Sequence, residues 1–245
     1  MEVIMEHDNA LKELLAEGAG AFGVSLDDRQ CGQFFRYMEL LKEWNQKFNL
    51  TAITEDRDIV IKHFIDSISI MPFIGNVSAS LIDVGSGAGF PGIPVKIAAA
   101  GISVTLLDSL DKRVGFMKTV AESLGLQGIT AIHARAEDGA NDRRYRESFD
   151  FAAARAVAEL PVLLEYCLPF VRPGGCFIAM KGSYAEEISA SKKALGLLGG
   201  EIEEVREILL PYSDMRRSII KIRKFRHTPT KYPRKAGKPS KTPLV

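Results

Sequence analysis

Three glycines at alternate positions, Gly85, Gly87 and Gly89, follow an apolar run that contains Asp83. Glycine has no Cβ, so such a loop can turn tightly and let a ligand lie against its backbone. Pro91 stands just beyond, where its fixed φ suits the first turn of a helix. The free N–H groups and the positive dipole end of that helix would face the loop. Strand, glycine turn and helix N-terminus together predict a site for a nucleoside-bearing ligand.

Two ligands are compatible with this loop. Residues 87–92 satisfy the G-x-G-x-x-G pattern of dinucleotide-binding enzymes, although that pattern alone is a weak signal. A pyrophosphate is anionic and disfavours a carboxylate such as Asp83 beside the loop. S-adenosylmethionine instead carries an ammonium and a sulfonium, which an acid attracts directly or through water. We therefore favour a methyltransferase over a dehydrogenase.

Further candidates lie where later apolar runs end, because ligands of an open parallel sheet bind beyond the carboxyl ends of its strands. Asp108 ends the second run, about 20 residues after the loop, where an acid can accept both ribose hydroxyls. Ala136 and Glu137 follow the third run, in the usual neighbourhood of an adenine edge. Arg155 ends the fourth run, next to the expected place of the reacting group.

The elements that must position these residues follow from the apolar pattern. After residue 80, short apolar runs alternate with helical stretches, which predicts βαβ units around a mostly parallel sheet. The predicted strands are Leu81–Val84, Val104–Asp108, Ile129–His133, Phe149–Ala154 and Cys176–Met180. The predicted helices are Pro91–Ala100, Lys112–Leu124, Leu160–Phe170 and Ala185–Leu198. Two more β-rich stretches, Ile202–Leu210 and Ser218–Ile222, are joined by a turn short enough for a hairpin. An antiparallel final strand is therefore expected, which also favours a methyltransferase.

Three segments are expected along the chain. Apolar residues recur at helical spacing before residue 80, which predicts a helical N-terminal extension over residues 1–75. Its second helix should begin near Ser25 and end at 49–51. Residues 76–224 form the α/β methyltransferase domain, with a Rossmann-like fold. Residues 225–245 are rich in Pro, Lys, Gly and Ser and predict an extended basic tail.

The net charge of +1 conceals a strong asymmetry. Residues 216–245 contain eleven Lys or Arg and no Asp or Glu, whereas the rest of the chain is acidic. A segregated basic segment suits contacts with a phosphate backbone, because each neutralised phosphate releases a counterion. Tyr232, beside Lys231, Arg234 and Lys235, would stack on a base. The alternative is a solvated, frayed tail.

Composition excludes several other classes. No apolar run approaches the roughly 18 residues of a membrane span, and the acidic N-terminus lacks a signal-peptide pattern. Three widely separated cysteines fit reduced thiols in the cytoplasm. Four scattered histidines and no Cys-x-x-Cys pair give a metal site little support. Nothing in the chain demands more than a monomer.

A series of ordered motifs extends this interpretation over most of the chain. They are Trp44-Asn45 with Asn49-Leu50-Thr51-Ala52, His63-Phe64-Ile65-Asp66-Ser67, the glycine loop 83–92, Leu107-Asp108-Ser109, Lys112-Arg113, Arg135-Ala136-Glu137, Ala154-Arg155-Ala156-Val157, Pro173-Gly174-Gly175, Lys181-Gly182 and Lys231-Tyr232-Pro233-Arg234-Lys235-Ala236-Gly237. From about Leu40 to Leu244 the sequence resembles the RsmG (GidB) methyltransferases of bacterial small-subunit ribosomal RNA. The resemblance implies a class I S-adenosylmethionine-dependent fold behind a small helical extension, and methylation of guanine N7 in 16S ribosomal RNA. The implied partner is that RNA or the small ribosomal subunit.

The resemblance also assigns residues. It places S-adenosylmethionine against Gly85, Phe90, Ala136, Glu137 and Arg155, and Arg155 is the candidate catalytic residue. Geometry adds Asp83, Gly87, Gly89 and Asp108 to the cofactor set. The candidate RNA-binding residues are Lys181, Arg216, Lys231, Tyr232, Arg234 and Lys235. One departure from the family pattern is Arg216-Arg217, where an Arg-His pair is expected.

Several interpretations stay open at this stage. His63 could contact RNA or pack the extension onto the core, and Asp66 could contact the substrate or anchor a helix. Asn49 and Thr51 are expected to cap the following helix rather than to touch the guanine. A small-molecule methyltransferase and a non-catalytic assembly factor that binds ribosomal RNA are the competing functions.

Overall fold

One twisted sheet of seven strands organises the molecule, for which a computed structural model describes residues 2–75, 78–182 and 184–245. The strands are β1 (Ser80–Val84), β2 (Ser103–Asp108), β3 (Ile129–His133), β4 (Phe149–Arg155), β5 (Val171–Lys181), β6 (Gly200–Leu209) and β7 (Arg216–Lys224). They lie in the order β3-β2-β1-β4-β5-β7-β6. The first five run parallel, and β7 pairs antiparallel with both β5 and β6. This confirms the mostly parallel sheet with an antiparallel end.

The order of the strands reverses between β1 and β4, and this switch point fixes where a ligand can bind. The connections that leave β1 and β4 run in opposite directions, which opens a crevice at the carboxyl ends of these two strands. β1 is buried from Leu81 to Val84, and three alanines in β4 are fully buried. Small side chains in the central strand let the covering helices approach closely. The crevice is therefore framed by a rigid core.

Helices cover both faces of the sheet. They are α1 (Glu2–Gly20), α2 (Asp28–Phe48), α3 (Asp56–Ile59), α4 (Asp66–Ile68), α5 (Met71–Ile74), α6 (Gly92–Ala98), α7 (Asp111–Ser123), α8 (Ala136–Asn141), α9 (Leu160–Cys167), α10 (Ala185–Ala190), α11 (Lys192–Leu198) and α12 (Lys238–Lys241). The helices before β1 share one apolar core with α6 and α7. Buried residues of α9 and α11 form a second core on the other face. No helix in the described ranges is long and apolar enough to cross a membrane.

The ends of α2 correct two details of the sequence interpretation. Asp27 caps the helix, because its side chain accepts from the Gln30 N–H while the Gln30 side chain accepts from the Asp27 N–H. The helix therefore starts slightly later than Ser25. Asn49 adopts a left-handed conformation and its N–H donates to the Asn45 carbonyl. Asn49 thus ends the preceding helix, and the expectation that it caps the following one is wrong.

A π-helical turn, Val60–Ile65, lies between α3 and α4. Wider turns of this kind often occur at functional sites. Here the turn carries Lys62 and His63, and the following helix begins with Asp66. All three side chains face the carboxyl end of β4. The N-terminal helices therefore supply one wall of the crevice.

The C-terminal segment, residues 225–245, is folded against the protein rather than extended. Tyr232 is 6% exposed and belongs to the apolar core under α9. The Arg234 guanidinium forms an ion pair of 2.6 Å with Glu165 on α9. Arg146 donates to the carbonyls of Thr228 and Tyr232. The expectation of an extended tail is wrong because Glu165 of the body accepts from the segment's Arg234 and Arg146 of the body donates to the segment's carbonyls.

Pairing also explains the charge asymmetry of the sequence. Five of the eleven C-terminal cations form ion pairs with acids of the body. The cations are Arg217, Lys221, Arg223, Lys224 and Arg234, and the acids are Asp66, Glu203, Glu147 and Glu165. The basic end of the chain therefore neutralises the acidic body within one molecule. Charge segregation along the sequence is not by itself a sign of a nucleic-acid ligand here.

Candidate cofactor and substrate site

The glycine loop leaves β1 through left-handed backbone. Gly85 has a φ of 75°, and a Cβ built there would lie 2.7 Å from a Val157 methyl group. The N–H groups of Gly85 and Ser86 donate to the carbonyl of Leu107 at the end of β2. Glycine is required at position 85 for both its φ and the close approach of the segment after β4. The loop is thereby held against β2 and β4.

Asp108 fixes the loop from the end of β2. Its Oδ2 accepts from the Gly87 N–H at 2.9 Å, and its Oδ1 accepts from the Leu110 N–H at 2.9 Å. Arg113 lies 3.4 Å from Oδ2. Each carboxylate oxygen can accept more than one hydrogen bond. Asp108 can therefore order the loop and still accept from ribose hydroxyls.

Asp83 lies beneath the loop. Its side chain is fully buried, and Oδ2 accepts from the Gly92 N–H at 2.9 Å. Among the described residues, Asp83 Oδ1 is the one buried side-chain oxygen or nitrogen without a hydrogen-bond partner. Burial raises the pKa of this carboxyl to about 7. An unpartnered acid behind a nucleoside loop fits a cationic ligand and does not fit a pyrophosphate.

A cavity of about 270 Å³ opens beside the loop at the carboxyl ends of β1, β2 and β3. Its lining combines the loop with the first turn of α8 and the segment after β4. The lining residues include Gly85, Asp108, Ala136, Glu137, Val157 and Tyr166. The set provides acceptors for a ribose and for an amino group, with apolar walls for a base. These residues fit the adenosine half of S-adenosylmethionine.

A second cavity, of about 340 Å³, lies beyond the ends of β4 and β5. It is lined by Lys62, His63, Asp66, Arg155, Ala156, Met180, Lys181, Gly182 and Arg217. Ala156 lines both cavities and has a φ of 55°, which is uncommon for a residue with a side chain. Such backbone strain is concentrated at functional sites. The two cavities meet at this strained turn.

Several contacts hold the Arg155 side chain in place in the second cavity. Its Nη1 donates to Asp66 Oδ2 at 3.0 Å and to the Lys62 carbonyl at 3.2 Å. Its guanidinium also lies over the Phe90 ring, 5.0 Å from the centroid. The His63 ring stacks on the same phenylalanine, with centroids 4.4 Å apart. Phe90 thus contacts both groups and joins the glycine loop to the substrate side.

The hydrogen bonds of His63 define its tautomer. Nδ1 lies 3.3 Å from Arg155 Nη2, and a guanidinium nitrogen can only donate. Nδ1 is therefore an acceptor, and the proton is on Nε2, which donates to Thr51 Oγ1 at 2.8 Å. Burial, together with the Arg155 charge, lowers the pKa of His63 to about 3. His63 is neutral at physiological pH and has no lone pair free to act as a base.

Cations dominate the second cavity. Lys62, Arg155, Lys181 and Arg217 line it, whereas Asp66 is the one acid of the lining. Lys181 donates to the Ala158 carbonyl and pairs with Glu187 at 2.9 Å. A net positive cavity that also contains the imidazole ring of His63 and the apolar side chain of Met180 suits a nucleotide. Its position beside the first cavity suits a base brought next to a bound cofactor.

The residues predicted from the sequence are only partly brought together. Four of them line the first cavity, namely Gly85, Asp108, Ala136 and Glu137. Arg155 and Lys181 line the second. Asp83, Gly87, Gly89 and Phe90 shape the loop and line neither cavity.

The residues predicted to bind RNA also fall into two groups, according to whether their side chains are exposed or engaged within the protein. Arg216, Lys231 and Lys235 are exposed. Tyr232 is buried, so it cannot stack on a base in this conformation, and Arg234 is engaged by Glu165. The prediction that Tyr232 and Arg234 contact RNA is therefore wrong: Tyr232 packs in the core, and Arg234 anchors the C-terminal segment to Glu165.

Two lining residues, Lys62 and Arg217, were missed as site candidates, and Asp66 was left open between a substrate contact and a helix anchor. Lys62 and Asp66 come from the N-terminal helices, and Arg217 follows Arg216 on β7. The adjacent Arg216-Arg217 pair was the sequence signal for Arg217. For Lys62 no signal existed, because a lysine in an amphipathic helix is ordinarily a solvated residue.

Comparisons with known proteins point to one family. A family model described as GidB, rRNA small subunit methyltransferase G, matches residues 30–216. A protein of Acetivibrio thermocellus named ribosomal RNA small subunit methyltransferase G is 61% identical over 98% of this chain and 99% of its own length. One of the same name from Alkaliphilus metalliredigens is 49% identical over 95% of this chain and 98% of its own.

Solved structures share the fold at low sequence identity. A 16S rRNA (adenine(1408)-N(1))-methyltransferase from Catenulisporales acidiphilia, determined with its cosubstrate, is 14% identical with a TM-score of 0.52. That alignment covers 63% of this chain and 88% of the other. TrmN from Thermus thermophilus is 16% identical with a TM-score of 0.51, over 68% of this chain and 53% of its own.

Proposed function

This chain belongs to the GidB family of rRNA small subunit methyltransferase G, and on that premise we propose that it transfers a methyl group from S-adenosylmethionine to N7 of one guanine in 16S ribosomal RNA. The observation that carries the proposal is the meeting of two cavities at Ala156. One has the acceptors for a nucleoside cofactor. The other has the positive charge for an RNA nucleotide.

The chemistry asked of the protein is mainly positioning. Bound S-adenosylmethionine supplies an electrophilic methyl group on a sulfonium. Guanine N7 carries a free lone pair and no proton, so no general base is needed, which agrees with the neutral, fully hydrogen-bonded His63. Alignment of N7 with the methyl–sulfur bond accounts for most of the acceleration.

Arg155 is proposed as the catalytic residue in the sense that it touches the cofactor or the target nucleotide. Asp66 and the Lys62 carbonyl hold its guanidinium, and Phe90 lies beneath it. The Arg155 charge can bind a carboxylate of the cofactor or a phosphate of the target nucleotide. Its fixed orientation would then set the distance between the donor and acceptor molecules.

The surrounding cations extend the site towards RNA. We propose that Lys181 and Arg216 contact phosphates beside the second cavity. Lys181 is at the carboxyl end of β5 and Arg216 begins β7, which pairs antiparallel with β5 at the same edge of the sheet. Lys231 and Lys235 stay in the proposal as exposed cations of the C-terminal segment.

Three further proposals concern the protein as a whole. We propose that it acts as a monomer in the cytoplasm, where its substrate is found. All three cysteines are buried and unpaired, which fits a reducing compartment. We also propose the division into a helical extension (1–75), a methyltransferase domain (76–224) and a basic C-terminal segment (225–245).

The experiment is transfer of labelled methyl from S-adenosylmethionine to unmodified small subunits and to naked 16S RNA, followed by mapping of the modified nucleotide. We expect one 7-methylguanosine. The Arg155→Ala variant should bind RNA but lose transfer while staying folded. No incorporation by folded protein would leave the assembly-factor alternative. Incorporation into a small molecule alone would instead support a small-molecule methyltransferase.

A further inference from the structure

The C-terminal segment reaches the wall of the cofactor cavity. The Gly237 N–H donates to Glu137 Oε1 at 2.7 Å. Glu137 lies in the first turn of α8, is 3% exposed and lines the cavity beside the glycine loop. A backbone group near the end of the chain therefore binds a side chain of the cofactor site.

The two oxygens of Glu137 have different surroundings. Within the described part of the chain, Gly237 provides the one hydrogen bond to this carboxylate, and it goes to Oε1. Among those residues, Asp83 Oδ1 is the only fully buried side-chain oxygen or nitrogen that has no hydrogen-bond partner. Glu137 Oε2 also has no hydrogen-bond partner among them, so it is not fully buried and borders open space. Because Glu137 is otherwise buried, that space is the cavity. Oε2 is placed to accept from an amino or hydroxyl donor of a nucleoside.

A buried ion pair fixes the segment just before Gly237. Glu165 is 0% exposed, and it accepts from the Arg234 Nε, Nη2 and backbone N–H groups. Such a two-pronged contact sets orientation as well as distance. Tyr232 packs into the apolar core beside it. The position of the Gly237 N–H is therefore determined by contacts that lie outside the cavity.

We propose that residues 232–237 are a positioning element of the cofactor site, with Gly237 holding Glu137 so that its free oxygen faces the adenosine. The inference deepens the proposed function and rests on it, since it takes Glu137 as a contact of S-adenosylmethionine. It assigns Tyr232, Arg234 and Gly237 to the cofactor site rather than to RNA, and leaves the exposed Lys235 free to contact RNA. Arg234 and Glu165 act through Gly237 and touch no substrate.

The test uses a matched pair of full-length variants at position 237. Gly237 has a φ of 79°, and a Cβ built there meets no atom within 4 Å. Gly237→Ala strains the backbone but keeps the N–H. Gly237→Pro also changes the backbone and removes the N–H. Binding of S-adenosylhomocysteine, measured by calorimetry without RNA, should weaken about tenfold in the proline variant relative to the alanine variant.

A second pair tests the anchor. Arg234→Met breaks the contact with Glu165, whereas Lys235→Met removes an exposed cation next to it. We expect Arg234→Met to raise KM for S-adenosylmethionine, with kcat retained at saturation and RNA affinity unchanged. Lys235→Met should leave cofactor affinity as in the parent protein. Thermal unfolding of each variant, measured in parallel, identifies any variant that fails to fold.

Three results would overturn the proposal. Equal cofactor affinity in the alanine and proline variants would remove Gly237 from the site. Loss of RNA affinity with unchanged cofactor affinity would assign the segment to RNA. Equal cofactor affinity in folded Arg234→Met and Lys235→Met would make the ion pair purely structural. Because S-adenosylhomocysteine binding by the position-237 variants is measured without RNA, failure to methylate the small subunit would contradict the proposed function without affecting that measurement.

Discussion

Asp66 holds Arg155, with Oδ2 of the carboxylate 3.0 Å from Nη1 of the guanidinium. Its Oδ1 accepts from Arg217 Nε at 3.1 Å, so one buried acid orients two arginines of the substrate cavity. The acid comes from the N-terminal helices and the arginines come from β4 and β7. The helical extension is therefore part of the site.

Asp66→Asn should destabilise the protein and impair methylation together. The change removes the charge between two arginines, and breaking a buried ion pair costs roughly 3–5 kcal/mol of unfolding free energy. Urea denaturation measures this cost. Asp58→Asn is the control, because its pair with Lys62 is partly exposed and its loss should cost about 0.5 kcal/mol. Equal costs for the two variants would show that Asp66 does not hold the arginines.

The two conservative replacements of His63 should have different effects. The amide oxygen of asparagine, an acceptor, takes the place of Nδ1. The amide nitrogen of glutamine, a donor, takes the place of Nε2. His63→Asn retains an acceptor for Arg155, whereas His63→Gln retains a donor for Thr51. If holding Arg155 matters for transfer, we expect kcat/KM of the asparagine variant to exceed that of the glutamine variant about tenfold. The reverse order would show that the Thr51 contact is the important one.

Asp83 should make stability fall as the pH rises towards neutrality. Its folded pKa of about 7 lies above the ordinary value of 3.8, so the native state binds more protons than the unfolded state between these values. This stabilising contribution is complete below pH 3.8 and is lost as the pH rises through 7. Relative to Asp83→Asn, which cannot ionise, the wild-type unfolding free energy should fall by roughly 1.4 kcal/mol per pH unit between pH 5 and 6.5. Chemical denaturation at several pH values measures the difference.

If the unfolding free energies of the wild type and of Asp83→Asn changed with pH at the same rate, Asp83 would be ionised over the whole pH range. Saturating S-adenosylmethionine provides a second check. A nearby cation favours the carboxylate form, so the ligand should reduce the pH dependence of the wild type and leave that of the variant unchanged.

Arg216 and Arg223 form a matched pair for RNA binding, because both are exposed on β7 but at opposite edges of the sheet. Arg216→Ala should weaken binding to small subunits and reduce the slope of log K against log salt by roughly 0.7–0.9, the value for one lost phosphate contact. Arg223→Ala should leave both unchanged, since that side chain pairs with Glu203. Filter binding over a salt series gives the slopes. Equal slopes in all three proteins would place Arg216 outside the RNA interface.

Much of the fold was determined by local sequence. Short apolar runs predicted every strand, and the short turn between the last two predicted the antiparallel end, because both signals lie in consecutive residues. The glycine loop, with Asp83 before it, identified the cofactor class, since the residues that give this turn its backbone freedom and its charge are close together in the sequence. The start of the fifth strand was an exception: it was predicted at Cys176, but β5 begins at Val171 and includes Pro173-Gly174-Gly175, where the pairing with β4 shifts register.

Contacts between distant residues were decided by the tertiary structure alone. Asp66 meets Arg155 and Arg217, and Glu137 meets Gly237, across separations that no local pattern encodes. The basic C-terminal segment looked like a ligand for phosphate because the sequence shows its charge without its partners. Folding brings Glu165 to Arg234 of that segment and Glu147 to Lys224 just before it, and each acid forms a charge-assisted hydrogen bond with its cation. The sequence by itself thus determined the elements and the cofactor class, while only the packing of those elements decided which charges face a ligand.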